Sequence, residues 1–341
     1  MTSRKRVAAG FAIVIALSLV PGVLIAAGNS TLASVTTLAA LGAIMPALTC
    51  SLRVAAISAG AMTVASGVAA PASGSPLLGA LLLGVVGVAF GLTARLGVSS
   101  SVVMAAISVV FLVAQPVSID GQPASSLQLM GLVGVSALWG LGAGHLGRRV
   151  HKGSSTRTPK TIPWSRAGAY AAVLAVVLGI GGWIVVDTRW GHTGGWFLMT
   201  FLLILQPNLR DSWRLTIGRG LGTIVGVVLA VFLFTIAAGA TVLLYIIAVA
   251  AAVAALTLRT TTSRPYWQYV TLLTPAVVLL EGLGASVTQT ARERLVATLL
   301  AVGVALAVQF PLSLVGRHRA HRHDDRQDDR HDGRHDDVHA V

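Results

Sequence analysis

The chain has few charged residues and a single cysteine. Only 11% of its 341 residues are Asp, Glu, Lys or Arg, whereas a soluble domain carries about 25%. The polar surface is therefore too small for a soluble enzyme. Cys50 is the only cysteine, so an intramolecular disulfide and a secreted disulfide scaffold are excluded. The uncharged segments are also too long for the short alternating strands of a porin.

Apolar residues and glycine are abundant instead. Hydrophobic residues make up 55% of the chain, the mean hydropathy is +0.79, and 37 residues are glycine. Because a helix needs about 20 apolar residues to cross a bilayer, the uncharged stretches predict an all-α polytopic membrane protein with about twelve transmembrane helices. These spans lie in 7–52 and 54–94, which each divide in two, then 96–119, 121–147, 167–186, 190–209, 220–258, which also divides, 265–283 and 295–315.

The first span, residues 7–27, follows the basic residues Arg4, Lys5 and Arg6 and could be a signal peptide. Its apolar run is longer than the usual signal core of about 7–15 residues. We therefore predict a retained transmembrane helix.

Basic residues are distributed unevenly between the two sides of the predicted spans. With the N-terminus inside, the inner segments before the C-terminal tail hold 16 Lys and Arg, whereas the outer segments hold only Arg189, Arg292 and Arg294. This bias predicts a plasma (inner) membrane protein with both termini cytoplasmic. A net charge of +13 could suggest nucleic acid, but the basic residues separate apolar segments, so no nucleic-acid partner is expected.

The second half of the sequence repeats the first at one constant, ungapped shift. Pro46 falls on Pro207 and Arg53 on Arg214, and the predicted helices superpose at the same shift. Two parallel six-helix halves are the expected architecture. The regions are a first half at 1–146, a basic cytoplasmic linker at 147–166, a second half at 167–316 and a tail at 317–341.

A fainter repeat lies inside the second half, at a shorter shift. It places Arg219 on Arg294 and Thr223 on Thr298. The two helices run in opposite directions, so the pattern predicts a three-plus-three inverted repeat.

The tail is polar, low in complexity and free of aromatic residues, which predicts disorder. The alternative is a metal site on one helical face, built from His331, His335 and His339.

The segment from Trp196 to Gly226 carries the densest pattern. Gly218, Gly222 and Gly226 recur every fourth residue and predict a face for close helix packing. Arg219 and Thr223 form an adjacent polar stripe, on a helix expected to begin at Gly218-Arg219. The arginine could snorkel to the membrane interface or bind an anion, and both interpretations stay open. Trp196, with Trp183 and Trp190, is expected in an outer aromatic belt.

Three groups of residues carry a family resemblance. They are Trp196, Gln206-Pro207, Arg219, Gly222-Thr223 and Gly226, then Tyr266 with Thr274-Pro275, and finally Arg294 with Thr298. In this order they resemble the fusaric-acid-resistance-like family, also called aromatic acid exporters, over about residues 167–310.

The resemblance implies export of small, often aromatic, carboxylic acids, driven by the proton gradient. A carboxylate needs a cation or a helix N-terminus to replace its water. Arg219 and Arg294, each expected at a helix start, are the main candidates. The other candidate substrate-binding residues are Thr223, Gln268, Thr271, Thr274, Trp196 and Trp267.

Proton coupling requires a titratable group in the pathway. Glu281 is the preferred candidate, with exposure in an outer loop as its alternative, and Asp187 is the second candidate. His145 and Glu293 are further choices, and Glu293 between two arginines is expected to stay ionised.

Two other functions stay open: a passive anion channel with arginines in its pore, and a non-transporting membrane scaffold. No enzyme motif occurs in the sequence, so neither catalysis, a cofactor nor a metal site is expected. The expected partners are membrane lipid and a small organic anion, and a homo-oligomer stays open.

Overall fold

The fold is taken from a computed structural model, which describes Leu24 and residues 29–119, 121–150, 161–207, 209–237, 240–261, 265–282 and 286–332. Most of the predicted first span at 7–27, the linker residues 151–160 and the end of the tail at 333–341 lie outside the described residues.

Eleven α-helices make up almost all of the described chain. They are α1 (Ser30–Thr49), α2 (Leu52–Ala72), α3 (Pro76–Thr93), α4 (Ser99–Ala114), α5 (Ser126–Val150), α6 (Trp164–Asp187), α7 (Gly191–Ile204), α8 (Leu209–Ile236), α9 (Thr241–Thr261), α10 (Tyr266–Gly282) and α11 (Val287–Asp332). Each predicted span after the first overlaps one of these helices. A 3-10 turn follows α3 at Ala94–Leu96, and two antiparallel two-residue strands, β1 (Ser118–Ile119) and β2 (Gln122–Pro123), connect α4 to α5.

Seven of these helices are long and apolar enough to cross a membrane: α1, α2, α3, α5, α6, α8 and α11. Large apolar side chains on them are exposed, among them Ile57, Leu127, Ile180 and Phe232. Such a surface is suited to lipid rather than water. The chain is thus an all-α, multi-pass membrane protein, while the number of twelve spans and the cytoplasmic termini stay predictions.

Local sequence signals explain several helix ends. The Ser51 hydroxyl caps α2 by accepting a hydrogen bond from the Val54 N–H at 3.3 Å. Ser75 caps α3, whose first residue is Pro76, a position that needs no backbone N–H donor. Gly97 ends the 3-10 turn with a φ of 69°, which only glycine adopts without strain.

The centre of the protein is formed by two short helices, α4 and α7. Both are buried along most of their length, as expected for a helix that is apolar on all sides. They pack on each other through Phe111 and Trp196, whose rings meet edge to face with centroids 5.1 Å apart. A Cβ atom at Gly195 would lie 2.8 Å from the Phe111 ring, so this glycine permits the close approach.

The two predicted halves are joined by close packing of α3 on α6. A Cβ atom at Gly87 would lie 2.8 Å from the Leu174 backbone, and one at Gly91 would clash with Ala171. The backbones of the two helices therefore approach each other as small-residue membrane interfaces do.

The helix bounds agree with the shift between the two halves. The shift that places Pro46 on Pro207 also places the start of α1, Ser30, on the start of α7, Gly191. It places the start of α5, Ser126, on the start of α11, Val287. The internal repeat itself stays a prediction.

Two helix starts differ from the expectation. The helix that carries Arg219 begins at Leu209 rather than at Gly218, and the helix that carries Arg294 begins at Val287. Both arginines therefore lie inside their helices, and the prediction that they stand at helix N-termini is wrong. The charged residues Arg210, Asp211 and Arg214 interrupt the apolar run, yet they lie in the first turns of α8.

The last helix also continues past residue 316, and its backbone is helical to Asp332. The sequence predicts a disordered tail for 317–341, and the structure differs there over the backbone of 317–332. The side chain of His331 and all of His335 and His339 lie outside the described residues.

Candidate functional site

Arg219 is the largest fully buried side chain among the described residues, with 1% of its surface exposed. It lies seven residues into the span Ser212–Ile236, about 10 Å from its beginning. Its Nε and Nη1 atoms have no hydrogen-bond partner among the described residues. A snorkelling arginine keeps its head group in water, whereas this one is enclosed by protein. Its burial favours the anion-binding interpretation.

The glycine face of α8 packs against α10. A Cβ atom at Gly222 would lie 2.6 Å from the Trp267 carbonyl oxygen and from Val270 Cβ. One at Gly226 would lie 2.6 Å from Thr274 Cβ. Gly218 faces the start of α10 in the same way. Glycine is needed at the two inner positions because a side chain would push the helices apart.

Two buried hydroxyl groups lie at or beside this helix interface. Thr223 follows Arg219 by one helical turn, and Thr274 faces Gly226, three residues further along α8. Neither hydroxyl has a hydrogen-bond partner among the described residues. A threonine inside a helix often bonds the carbonyl one turn back, as Thr271 does to Trp267 at 2.9 Å. Thr223 and Thr274 are therefore available as donors.

Pro275 adds a polar backbone atom to this interface. It lacks the N–H that would bond the Thr271 carbonyl within the helix. That carbonyl oxygen faces Gly226, at 3.0 Å from where a Cβ atom would stand. The α8/α10 interface thus holds the Thr274 hydroxyl and the Thr271 carbonyl, and Arg219 and Thr223 are buried on α8 next to its glycine face.

Arg294 is also buried, with 2% of its surface exposed. Its guanidinium carbon lies 4.0 Å from the centroid of the Trp196 ring, which is a close cation–π contact. Trp196 is itself only 8% exposed. The prediction that it belongs to the outer aromatic belt is therefore wrong, whereas Trp183 and Trp190 are exposed as such a belt requires.

The two arginines lie at different levels of the bundle. The Gln309 side-chain amide donates to the Thr216 hydroxyl at 3.1 Å, and Gly220 faces Val302. The helices α8 and α11 are hence antiparallel, and Arg294 is level with residues near 230 of α8. It lies about ten residues, or about 15 Å, from Arg219 along the bundle. The two arginines do not surround one carboxylate.

The remaining predicted residues are less central. Gln268 and Thr271 are half-buried, and Trp267 is 40% exposed. Asp187 is exposed at the end of α6, His145 is half-buried in α5, and the side chain of Glu281 lies outside the described residues. Glu293 accepts a hydrogen bond from Gln289 at 2.9 Å.

Sequence reasoning missed two residues near Arg294. His192, in the first turn of α7, has a buried Nε2 atom without a hydrogen-bond partner among the described residues. Its ring lies 6.1 Å from that of Trp196. Phe111 packs against both rings from the first half of the chain. The Phe111 contacts join distant parts of the sequence, so no local pattern indicates them.

Residues 170–308 match the family described as fusaric acid resistance protein-like. The second half carries a domain of this family. The family comprises membrane transport and efflux proteins. The fusaric acid resistance protein-like domain includes both buried arginines, Thr223, Thr274 and Trp196, whereas Phe111 lies outside it. No curated protein and no solved structure matches the chain at a significant level.

Proposed function

We propose that this protein exports small organic anions, above all aromatic carboxylic acids, from the cell across the plasma membrane. The proposal depends on one observation, the buried Arg219 guanidinium with two unpartnered nitrogen atoms inside a membrane span. The transport and efflux function of the family supports it.

The physical argument is the cost of an enclosed cation. Removing a guanidinium from water costs several kcal/mol unless a counter-charge and hydrogen bonds replace the water. A carboxylate supplies both, because it accepts charge-assisted hydrogen bonds from the arginine. The hydroxyl group of Thr223, one helical turn from Arg219, can donate to the same anion.

The aromatic side chains beside Arg294 favour an aromatic cargo. Trp196 and Phe111 are packed edge to face beside Arg294, and such surfaces favour a planar aromatic ring. Aliphatic acids of similar charge lack this contribution. We therefore expect benzoate-type acids to be preferred.

The proposed energy source is the proton gradient, with Glu281 or Asp187 as the proton carrier. The membrane potential assists export as well, because moving one negative charge out of a cell at about −100 mV releases about 2.3 kcal/mol. The two contributions are separated in proteoliposomes, where valinomycin and potassium fix the potential while the pH difference is varied.

The test is efflux of labelled benzoate from cells that lack their own acid exporters. Wild-type protein is expected to accelerate efflux, and Arg219→Gln to abolish it. Arg214→Gln is the matched control, because Arg214 is exposed on the same helix. Equal loss in both variants, or efflux that Arg219→Gln leaves unchanged, contradicts the proposal.

A passive anion channel is the second candidate, since two buried arginines at successive levels could also line a pore. A channel predicts downhill benzoate flux that persists when both the pH difference and the potential are zero. A membrane scaffold predicts that Arg219→Gln leaves every phenotype of the protein intact.

A further inference from the structure

The second half of the fold divides into two helix triplets with matching bounds. The shift that places Arg219 on Arg294 also places the start of α7, Gly191, on the start of α10, Tyr266. The starts of the spans Ser212–Ile236 and Val287–Phe310 coincide at the same shift. Since α8 and α11 are antiparallel, these matching bounds are the ones expected if the triplets α6–α7–α8 and α9–α10–α11 form the inverted repeat that the sequence predicts.

Buried polar side chains follow the same correspondence. Arg219 matches Arg294 and Thr223 matches Thr298, and all four side chains are at most 2% exposed. The helix contacts between the two triplets follow the same correspondence, in which α8 matches α11 and α7 matches α10. α8 packs on α10 of the other triplet, and α11 packs on α7 through Arg294 and Trp196.

We propose that Arg219 and Arg294 form two separate anion sites in series, one near each end of the bundle. This inference rests on the proposed function and goes beyond it in number and selectivity of the sites. Each arginine lies seven residues into its own span, and the spans run in opposite directions. The sites are therefore about 15 Å apart along the bundle.

The two sites differ in what surrounds the arginine. The Arg219 site provides the hydroxyl group of Thr223, one turn further along α8, which recognises a carboxylate whatever its substituent. The Arg294 guanidinium lies against the Trp196 ring, and the Phe111 ring contacts Trp196 edge to face. We expect the Arg294 site to select aromatic over aliphatic acids and the Arg219 site to accept both.

A path with two sites suits vectorial transport of an anion. One site holding both arginines would bind the anion tightly and release it slowly. Two sites of one arginine each divide the distance across the membrane into short steps. The outer and inner ends could also differ in affinity, because their linings differ.

The test is binding of labelled benzoate to the purified full-length protein in detergent. We expect two benzoate molecules per wild-type chain and one per chain in Arg219→Gln and in Arg294→Gln. Propionate is expected to displace benzoate about tenfold less effectively from Arg219→Gln, which keeps the aromatic site, than from Arg294→Gln. Arg214 and Arg292 are exposed neighbours on the same two helices. The control variants Arg214→Gln and Arg292→Gln are therefore expected to bind two benzoate molecules per chain.

Three results would overturn this inference. They are one benzoate per wild-type chain, loss of all binding in either Gln variant, and a fall from two bound molecules to one in only one of the two Gln variants. Each leaves the proposed function standing if wild-type efflux is observed. Absence of both binding and efflux in the wild type contradicts the proposed function instead. If a Gln variant does not fold, Arg219→Lys and Arg294→Lys keep the charge. Each is expected to weaken its own site about tenfold, because lysine lacks the planar fork of arginine.

Discussion

At the scale of single residues, burial distinguishes side chains that the sequence presents as equals. Arg214 and Arg219 lie on the same helix five residues apart, yet the first is exposed and the second enclosed. Charge counting assigns both to the inner side of the membrane. Only the packing of α8 against α10 and α11 separates the exposed arginine from the buried one, for which we propose anion binding.

Thr223→Val tests the role of an unpartnered hydroxyl. Valine has the same shape, so we expect the fold to stay intact and its thermal stability to be equal or slightly higher, because an unsatisfied buried hydroxyl costs free energy. The KM for benzoate efflux is expected to rise by about two- to tenfold, since one hydrogen bond is worth about 0.5–1.5 kcal/mol. Transport assays over a range of internal benzoate concentrations measure this change.

The control for that substitution is Thr271→Val. The Thr271 hydroxyl already donates to the Trp267 carbonyl, so its loss should leave the KM unchanged. A KM that rises equally in both variants would indicate a general effect of packing rather than a hydroxyl that contacts the anion.

At the scale of helices, the sequence predicts most of the structure, because uncharged runs of sufficient length have to be membrane helices. The glycine spacing at 218, 222 and 226 likewise indicates the face of α8 that packs closely. The uncharged runs place the starts of α8 and α11 too late, since charged residues interrupt a run without ending the helix. A helix continues beyond the hydrocarbon as long as its backbone bonds are satisfied, so composition alone does not give its first residue.

Gly222→Leu is expected to separate α8 from α10 and to abolish benzoate efflux. Its side chain would overlap the Trp267 carbonyl and Val270, and overpacking of this kind costs about 1–3 kcal/mol. The melting temperature measured by fluorescence-detected gel filtration should fall. The matched control is Gly220→Ala on the same helix, where a Cβ atom would be in ordinary contact with Val302 at 3.7 Å. Comparable destabilisation in the control would exclude a specific role for the α8/α10 interface.

At the scale of the whole molecule, the first half of the chain is connected to the candidate sites in a way that the sequence does not indicate. The family match begins at residue 170. The shift that places Pro46 on Pro207 puts Ser58 at the position of Arg219 and Val133 at that of Arg294. The first half thus lacks both arginines. It nevertheless supplies Phe111, which packs against Trp196 and His192 at the centre of the bundle.

Phe111→Leu tests whether the first half takes part in transport or only supports the second half. Leucine keeps an apolar side chain of similar bulk, so the melting temperature should change little. The ring that holds Trp196 edge to face is lost, and such a pair contributes about 0.5–1.5 kcal/mol. We expect the preference for benzoate over propionate in efflux to fall about threefold to tenfold. Phe232→Leu, at an exposed position of α8, serves as the control, and an unchanged preference in Phe111→Leu would limit the first half to support of the second.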